Sequence, residues 1–356
     1  MKLRIPADWN DVSPSWMTRA IASRHPDAEV ATVELVTRDD GTNRRARFRL
    51  SYSRGTGPEY VFCKAHTPRH RLVHLRNGNL FNEARLFASD VPLPVDHPLV
   101  YTAITDRLRL DFLLVMEDLT RRDADPRDAT RPMTVTQVSD GVRGLARLHS
   151  RFWGLTNRNQ PTLKWLKTWR PSRGWQVGLR RCVPLALERH REALPEQVTR
   201  HSGDEIVDFW ARFVSGLRHG PATLLHGDAH IGNTYVLPGD RVGFLDWQVA
   251  RRGNWSQDMG YFLVGALSGS DRRGHEESLL QAYHDALELP SAQRPSLDEI
   301  TLRYRASHAY GLAIWLSTLG SVGYQSTDIS LALARRFAAA FVDHDTLSAL
   351  ESLDSR

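Results

Sequence analysis

The sequence is poor in cysteine and has no long apolar run. Its 356 residues include two cysteines, Cys63 and Cys182, which lie far apart and indicate no disulfide framework. No apolar run approaches the roughly 18 residues that a membrane-spanning helix requires. The N-terminal segment also lacks the apolar core of a signal peptide. We therefore expect a protein of a reducing, cytoplasmic compartment that has no membrane partner.

Clustered charge is also missing. The formal net charge is +6, but the arginines are spread along the chain and form no basic block. Electrostatic affinity for DNA or RNA needs clustered Lys and Arg, so we expect no nucleic-acid partner. Hydrophobic residues make up 41% of the chain and charged residues 25%, which argues against wholesale disorder. There is no internal repeat or low-complexity tract.

The first 119 residues carry patterns typical of strands. One helix is predicted at 79–89, and five strands are predicted at 31–36, 45–52, 59–66, 99–105 and 111–117. Five strands and one helix form a compact lobe. The stretch Asp118-Leu119-Thr120 and the charged, proline-containing segment after it predict a hinge and a lobe boundary.

The patterns of residues 120–356 are mainly helical. Helices are predicted at 138–153, 205–217, 256–267, 271–288, 297–319 and 328–351. Residues 154–200, which are rich in Trp and Arg and contain several prolines, are predicted to be irregular. The chain is thus expected to be α+β and two-lobed, with a five-stranded N-terminal lobe (1–119) and a larger helical C-terminal lobe (120–356), a nucleotide lying between them.

Residues 224–248 contain more candidate catalytic residues than any other part of the chain. Asp228 follows His226 and Gly227, Asn233 comes five positions later, and Asp246 ends a largely apolar run. Phosphoryl transfer needs one carboxylate to receive the proton of the acceptor hydroxyl, together with Asn and Asp oxygens to hold magnesium. The order and spacing therefore predict Asp228 as the base and Asn233 and Asp246 as ligands of Mg²⁺.

Two other interpretations of this stretch are open. An HGD triplet by itself is also compatible with a turn followed by a capping Asp. His226, Asp228 and His230 alternate along an extended segment and so share a face, which is compatible with a metal site. No further His or Cys follows at the spacing of zinc ligands.

Lys64 and Glu83 are the expected charged pair of the N-terminal lobe. Lys64 ends the apolar segment YVFCK, where an ammonium group needs an anionic partner. Nucleotide phosphates would serve, and Glu83 on the predicted helix would hold the lysine. Each residue alone is also compatible with a surface charge. The turn around Gly41 is no GxGxxG, although its backbone amides can approach a phosphate.

These motifs resemble the aminoglycoside phosphotransferase and choline kinase superfamily, which shares the protein-kinase-like fold. The chain is most similar to the ecdysteroid-kinase-like branch and its bacterial relatives. The resemblance extends over roughly residues 30–265 and rests on HGDAHIGN, LDWQ, YVFCK with NEARLF, LLVMEDL and LARLHSRFW. It implies transfer of a phosphoryl group from ATP or GTP to a small-molecule hydroxyl.

The resemblance also implies roles for single residues. Those of Asp228, Asn233, Asp246, Lys64 and Glu83 are the ones predicted above. The nucleotide site would include Met116 and the main chain of Glu117 and Leu119, and His226 would be structural. The chain departs from protein kinases in its glycine-poor turn and in DWQ where they have DFG. Asp258 is expected to cap the following helix or to bind the HGD loop.

Only the amino-acid composition of the C-terminal lobe bears on which molecule accepts the phosphoryl group. Residues 154–212 contain eleven Lys and Arg against six Asp and Glu, which disfavours a polycation such as an aminoglycoside. Aromatic residues suggest instead an apolar or ring-containing alcohol, unless they belong to the core. They are Trp165, Trp169, Trp175, His308, Tyr310 and Trp315. The alternative functions are a nucleotide-binding pseudokinase, an aminoglycoside phosphotransferase and a zinc hydrolase.

Overall fold

A computed structural model describes residues 3–41, 43–67, 75, 78–168, 170–321 and 323–355. Packing divides the chain into two units. The first consists of Met1–Pro92, His97–Ala124 and Asp246–Ala250, and the second of Leu93–Asp96, Asp125–Leu245 and Arg251–Arg356. Because two short segments are exchanged between the units, no single cut in the sequence describes the division.

The first unit is built on an antiparallel sheet with the strand order β1-β2-β3-β5-β4. The strands are β1 (Glu29–Asp40), β2 (Asn43–Arg54), β3 (Tyr60–His66), β4 (Val100–Asp106) and β5 (Asp111–Glu117). Helices α1 (Pro14–Ile21) and α2 (Asn82–Ala88) accompany them. The predicted five-stranded sheet is thereby confirmed.

Different helices cover the two faces of this sheet, because side chains alternate along each strand. Leu113 and Val115 of β5 pack in one cluster with the buried residues of α1. Phe112, Leu114 and Met116 of the same strand pack in a second cluster with Ala84 of α2 and the residues before it. β5 therefore reads in sequence as a continuous apolar run.

The β1–β2 hairpin extends further toward its turn than predicted. The sequence placed the strand ends at residues 36 and 45, whereas β1 continues to Asp40 and β2 begins at Asn43. Asp39 is paired with Arg45 across the strands, and their charged groups lie 3.5 Å apart. Opposite charges on paired strands stabilise the hairpin, although Asp by itself is depleted in strands.

The second unit is mainly helical, as predicted. Its helices are α3 (Val135–Arg151), α4 (Arg173–His190), α5 (Glu196–Thr199), α6 (Gly203–Gly216), α7 (Ser256–Ala266), α8 (Gly269–Asp285), α9 (Leu297–Gly320), α10 (Thr327–Asp343) and α11 (Thr346–Asp354). α9 lies at the centre, against α4, α6, α7, α8, α10 and α11. Its close approach to α4 requires Gly320, where a Cβ would lie 2.0 Å from the carbonyl oxygen of Cys182.

Two helical predictions were wrong. Residues 154–200 are not irregular throughout, since they contain α4, whose N-cap Ser172 accepts a hydrogen bond from the Trp175 N–H at 3.2 Å. Pro184 inside α4 lowers its helical propensity and obscures it in the sequence. The single helix predicted at 328–351 is two, because the chain breaks before α11 at Asp345, which has a left-handed φ of 44°.

Short strands hold the loop between residues 225 and 234. They are β6 (Asp125–Pro126), β7 (Thr223–Leu225), β8 (Thr234–Leu237), β9 (Arg241–Phe244) and β10 (Arg251–Gly253). β7 pairs with β10, and β8 lies between β6 and β9. The loop is thus fixed by sheet pairing at both ends. Within the described part of the chain, no helix is long and apolar enough to cross a membrane.

Candidate active site

Lys64 lies on the face of the first unit's sheet that α2 covers. Its neighbours Cys63 and Ala65 belong to the core on the α1 side, so strand alternation directs Lys64 toward Glu83 of α2. Its Nζ donates to Oε2 of Glu83 at 2.6 Å and to Oδ1 of Asp246 at 2.8 Å. Burial would lower the pKa of Lys64, but Asp246 and Glu83 hold it above its ordinary value. The lysine is therefore a cation at neutral pH.

Glu83 also holds the chain that follows Asp246. Its Oε1 accepts a hydrogen bond from the Trp247 N–H at 3.1 Å, while Oε2 binds Lys64. Asp246 itself has a left-handed backbone with φ 60°, a conformation that Asp adopts more readily than most residues with a Cβ. Its side chain is 25% exposed. The first unit thus brings three of the predicted residues into one ion-pair cluster.

Buried Asp258 holds the loop that begins at His226. Its Oδ2 accepts from the His226 N–H at 2.6 Å, and its Oδ1 from the Gly227 N–H at 2.9 Å. Of the two roles expected for Asp258, binding to the HGD loop is the one observed. Nε2 of His149 lies 3.6 Å from Oδ2, and Nδ1 of His149 meets the Tyr283 hydroxyl at 2.7 Å. This support comes from three helices, α3, α7 and α8.

Replacing Asp258 by Asn is expected to make stability less dependent on acid pH. Burial would raise the pKa of Asp258, but the neighbouring His149 ring and the hydrogen bond from the Gly227 N–H hold it below the ordinary 3.8. A depressed carboxyl pKa stabilises the fold above the unfolded pKa, and this contribution is lost as pH falls through the folded pKa. We expect the variant to lose about 1–3 kcal/mol of unfolding free energy at pH 7.

Urea unfolding followed from pH 7 down to the lowest pH at which the chain folds measures this difference. The gap between the wild type and Asp258→Asn is expected to narrow below pH 3.8, the ordinary pKa of an aspartate. Asp298→Asn, an exposed aspartate in the first turn of α9, is the control and should lower stability by less than about 1 kcal/mol. A gap that stays constant with pH would contradict the assigned role.

His226 orients the loop from within. It is fully buried, and its Nε2 lies 2.9 Å from the Leu245 carbonyl oxygen while the Asp228 N–H donates to Nδ1 at 3.3 Å. Because a carbonyl only accepts, Nε2 carries the proton. A metal ion on His226 would break one of these bonds. Among the described residues, no group of three His, Cys, Asp or Glu side chains is placed to hold a metal ion.

Asn233 restrains the carboxylate of Asp228. Its Nδ2 donates to the Asp228 carbonyl oxygen at 2.9 Å and to Oδ2 at 3.2 Å. The Asp228 side chain is 35% exposed, so it is held yet accessible. Asn233 ends a short 3₁₀ turn, which His230 caps by accepting the Gly232 N–H at 3.1 Å. The side-chain bonds of Asn233 to the described residues use its nitrogen, which leaves its amide oxygen available as a ligand or acceptor.

Aromatic residues of α9 lie beneath this loop. The ring of Trp315 meets that of His230 edge-on at 5.0 Å. The Tyr310 hydroxyl accepts from Arg251, whose same nitrogen also donates to the Gly227 carbonyl oxygen, both at 3.1 Å. Trp315 and Tyr310 are each 4% exposed. They support the loop from the core side, and Arg251 is a support that no local motif indicated.

The remaining aromatic candidates differ in their surroundings. His308 is fully buried among Tyr304 and His344, so it belongs to the helical core and not to a pocket. Trp165 and Trp175 are half-buried. Trp169 lies outside the described residues.

The expected nucleobase segment begins at the end of β5. The Glu117 N–H donates to the Leu99 carbonyl oxygen at 2.8 Å, and Oε1 of Glu117 accepts the Leu99 N–H at 2.8 Å. The amide donor of Glu117 is therefore used within the sheet. Leu119 opens a 3₁₀ turn capped by Asp118, and the Met116 side chain is buried against the α2 face.

The β1–β2 turn is anchored at Gly41. The hydroxyl of Thr67, which directly follows β3, donates to the Gly41 carbonyl oxygen at 3.2 Å. A Cβ on Gly41 would meet only the carboxylate of Asp39, at 3.7 Å or more. Steric crowding therefore does not require glycine at this position.

The family model of the phosphotransferase enzyme family APH matches residues 36–300, which is most of the chain. The chain belongs to this family. The protein is a phosphotransferase, and the predicted superfamily is confirmed. Its likeness to the ecdysteroid-kinase-like branch in particular stays a prediction.

No curated protein matches the sequence of this phosphotransferase. Among solved structures, it is similar to an ethanolamine kinase of Plasmodium vivax (14% identity, TM-score 0.47, 90% of this chain and 83% of the other). It is also similar to a choline kinase of Streptococcus pneumoniae (13% identity, TM-score 0.46, 96% of this chain and 99% of the other). A spectinomycin phosphotransferase solved with ADP and spectinomycin is similar as well (13% identity, TM-score 0.49, 97% of this chain and 100% of the other). Likenesses this distant do not bear on the substrate.

Proposed function

We propose that this phosphotransferase transfers the γ-phosphoryl group of ATP or GTP to a hydroxyl of a small molecule, with Asp228 as the base. The observation that carries the proposal is the restrained and accessible carboxylate of Asp228, on a loop that Asp258 holds from below. In phosphoryl transfer the protein mainly positions the acceptor hydroxyl and stabilises charge. A rigid loop with one exposed carboxylate suits that task.

Asp228 has one carboxylate oxygen for each of two tasks. Oδ2 is held by Nδ2 of Asn233, which fixes the plane of the carboxylate. Among the described residues, Oδ1 has no hydrogen-bond partner, which leaves it to accept the proton of the acceptor hydroxyl. The hydroxyl oxygen, as it loses this proton, attacks the γ-phosphorus, and the nucleoside diphosphate leaves.

Asn233 and Asp246 fit a magnesium ion by their donor atoms. The amide oxygen of Asn233 and the carboxylate of Asp246 are hard oxygen donors of the kind that Mg²⁺ prefers. When bound, the ion neutralises charge on the nucleotide phosphates. Lys64 would contact the phosphates, with Glu83 holding it. The main chain of Leu119 and the carbonyl oxygen of Glu117 would meet the nucleobase, with Met116 beside them, and Gly41 would lie over the phosphates.

The acceptor is proposed to be an apolar or ring-containing alcohol. The support is the excess of Lys and Arg over Asp and Glu in residues 154–212, because a basic surface repels polycationic acceptors. The burial of His308, Tyr310 and Trp315 removes them as pocket residues, so only Trp165 and Trp175 among the described aromatic candidates bear on this proposal.

The proposed function is tested by magnesium-dependent nucleotide turnover over a panel of hydroxyl compounds. The panel is first narrowed by thermal shift with a non-hydrolysable nucleotide, because a ligand of the native state stabilises it by mass action. Turnover that requires both Mg²⁺ and an acceptor supports the proposal. Tight nucleotide binding without turnover on any acceptor would favour a pseudokinase, and activity restored by zinc without nucleotide a hydrolase.

Replacing Asn233 by Ala is expected to raise the Mg²⁺ concentration needed for half-maximal activity by at least about 10-fold, because the variant loses an oxygen ligand. Initial rates measured over a magnesium titration at saturating nucleotide give this value. Asn157→Ala, at an exposed position, is the control. A lower kcat with the wild-type magnesium requirement would mean that Asn233 only restrains Asp228.

A further inference from the structure

Two departures from the protein-kinase pattern, the glycine-poor β1–β2 turn and the glutamine of DWQ, meet in one contact. Nδ2 of Asn43 donates to Oε1 of Gln248 at 2.9 Å. Asn43 is the first residue of β2 after the turn, and Gln248 stands two positions after Asp246. Asn43 is 1% exposed and Gln248 6%. Both residues belong to the first unit.

Asn43 and Gly41, at the β1–β2 turn, are also attached to β3 and the residue that follows it. Asn43 is in register with His66, and the Thr67 hydroxyl donates to the Gly41 carbonyl oxygen. The side-chain amide of Asn43 is directed away from these neighbours to Gln248. Burying an amide costs free energy unless it is hydrogen-bonded. The bond to Gln248 offsets this cost for the side chain of Asn43.

The other side of the contact carries Asp246. The segment 246–250 is attached to α2 twice, through Glu83, which accepts the Trp247 N–H, and through Asn82, whose Nδ2 donates to the Ala250 carbonyl oxygen at 2.9 Å. The bond from Asn43 to Gln248 adds a third attachment, and this one leads to the β1–β2 turn. The position of the turn is thereby linked to the segment that bears Asp246.

We propose that Asn43 and Gln248 are positioning residues that couple the β1–β2 turn to Asp246 for the binding of a magnesium-bound nucleotide. A glycine-rich loop can bring its backbone onto phosphates by itself, whereas a turn with a single glycine needs its position set from outside. The Asn43–Gln248 bond sets the position of the turn relative to the segment that bears Asp246. The inference rests on the proposed function, in which the turn lies over the phosphates and Asp246 holds Mg²⁺.

The test is a double-mutant cycle on nucleotide affinity. We expect Gln248→Leu and Asn43→Leu each to weaken binding of Mg-ADP by about 3–10-fold, the effect of one lost hydrogen bond. The double variant should bind no more weakly than the weaker single variant, because both remove the same bond. Gln248→Glu keeps an oxygen acceptor for Asn43 and should therefore bind Mg-ADP more tightly than Gln248→Leu. Calorimetric titration measures the affinities, and thermal unfolding shows that each variant is folded.

The outcomes separate this inference from the proposed function. Additive effects of the two leucine substitutions, or wild-type affinity in both folded variants, would overturn the coupling alone. Equal loss of affinity for ADP with and without Mg²⁺ would also overturn it, since the contact would then not act through Asp246. A wild-type chain that binds no Mg-nucleotide overturns the proposed function and the coupling with it.

Discussion

Replacing Asp228 by Asn is expected to lower kcat by about 10²–10⁴-fold, the contribution of a positioned general base. The amide keeps the size of the side chain and an oxygen for the Nδ2 of Asn233, so the loop should keep its conformation. Because the variant loses the proton acceptor alone, binding of Mg-nucleotide should change little. Turnover with the acceptor found in the panel and calorimetric titration with Mg-ADP measure the two quantities.

The matched control is Asp240→Asn, in the turn of the β8–β9 hairpin. Asp240 is exposed and has a left-handed φ of 58°, which Asn tolerates, so the substitution removes the same charge from the adjoining hairpin. It should leave kcat unchanged. Asp228→Asn with the kcat of the wild type would eliminate Asp228 as the base, and an equal loss in both variants would indicate a general effect of charge.

Lys64→Met is expected to destabilise the protein as well as inactivate it. The substitution leaves Glu83, which is 4% exposed, and Asp246 without their cation. Removing one partner of a buried ion pair costs about 3–5 kcal/mol of unfolding free energy. The raised pKa of Lys64 means that its stabilising contribution is fully present below the ordinary 10.5 and is lost only as pH rises through the folded value. The loss should therefore appear undiminished in urea unfolding at pH 7.

A second substitution distinguishes stability from chemistry. Lys64→Met combined with Glu83→Gln should regain part of the lost stability, because the uncompensated buried carboxylate is gone, but no activity. Lys164→Met, at an exposed lysine, is the control for loss of charge. If Lys64→Met unfolds at the same urea concentration as the wild type, the ion pair contributes nothing to the fold.

The contacts among the candidate site residues could be predicted because many of them are local. Asp228 and Asn233 are five positions apart, and the bond between their side chains closes within one loop. Lys64 and Glu83 were predictable as a pair because strand alternation directs the lysine to one face of the sheet, where α2 lies. Short spacings and regular periods leave a signal in the order of the residues.

Helix prediction failed where local propensity and packing disagree. Pro184 in the interior of α4 argues against a helix, and packing of α4 against α6 and α9 stabilises one nonetheless. Asp258 could not be assigned between two roles, since its distance of about thirty residues from His226 in the chain says nothing of proximity. His308 was a candidate pocket residue because the sequence does not show that it is buried beside Tyr304 and His344.

By itself the order of residues determined the reaction class, the sheet and the pairing of local polar groups. Packing alone settled that the segment of Asp246 belongs to the first unit, that the aromatic residues of α9 are buried and that Asn43 meets Gln248 across 205 positions. The physical reason is the range of the interactions. Propensity, capping and alternation act over a few residues and are visible in sequence, whereas burial and long-range hydrogen bonds exist only once distant segments have packed.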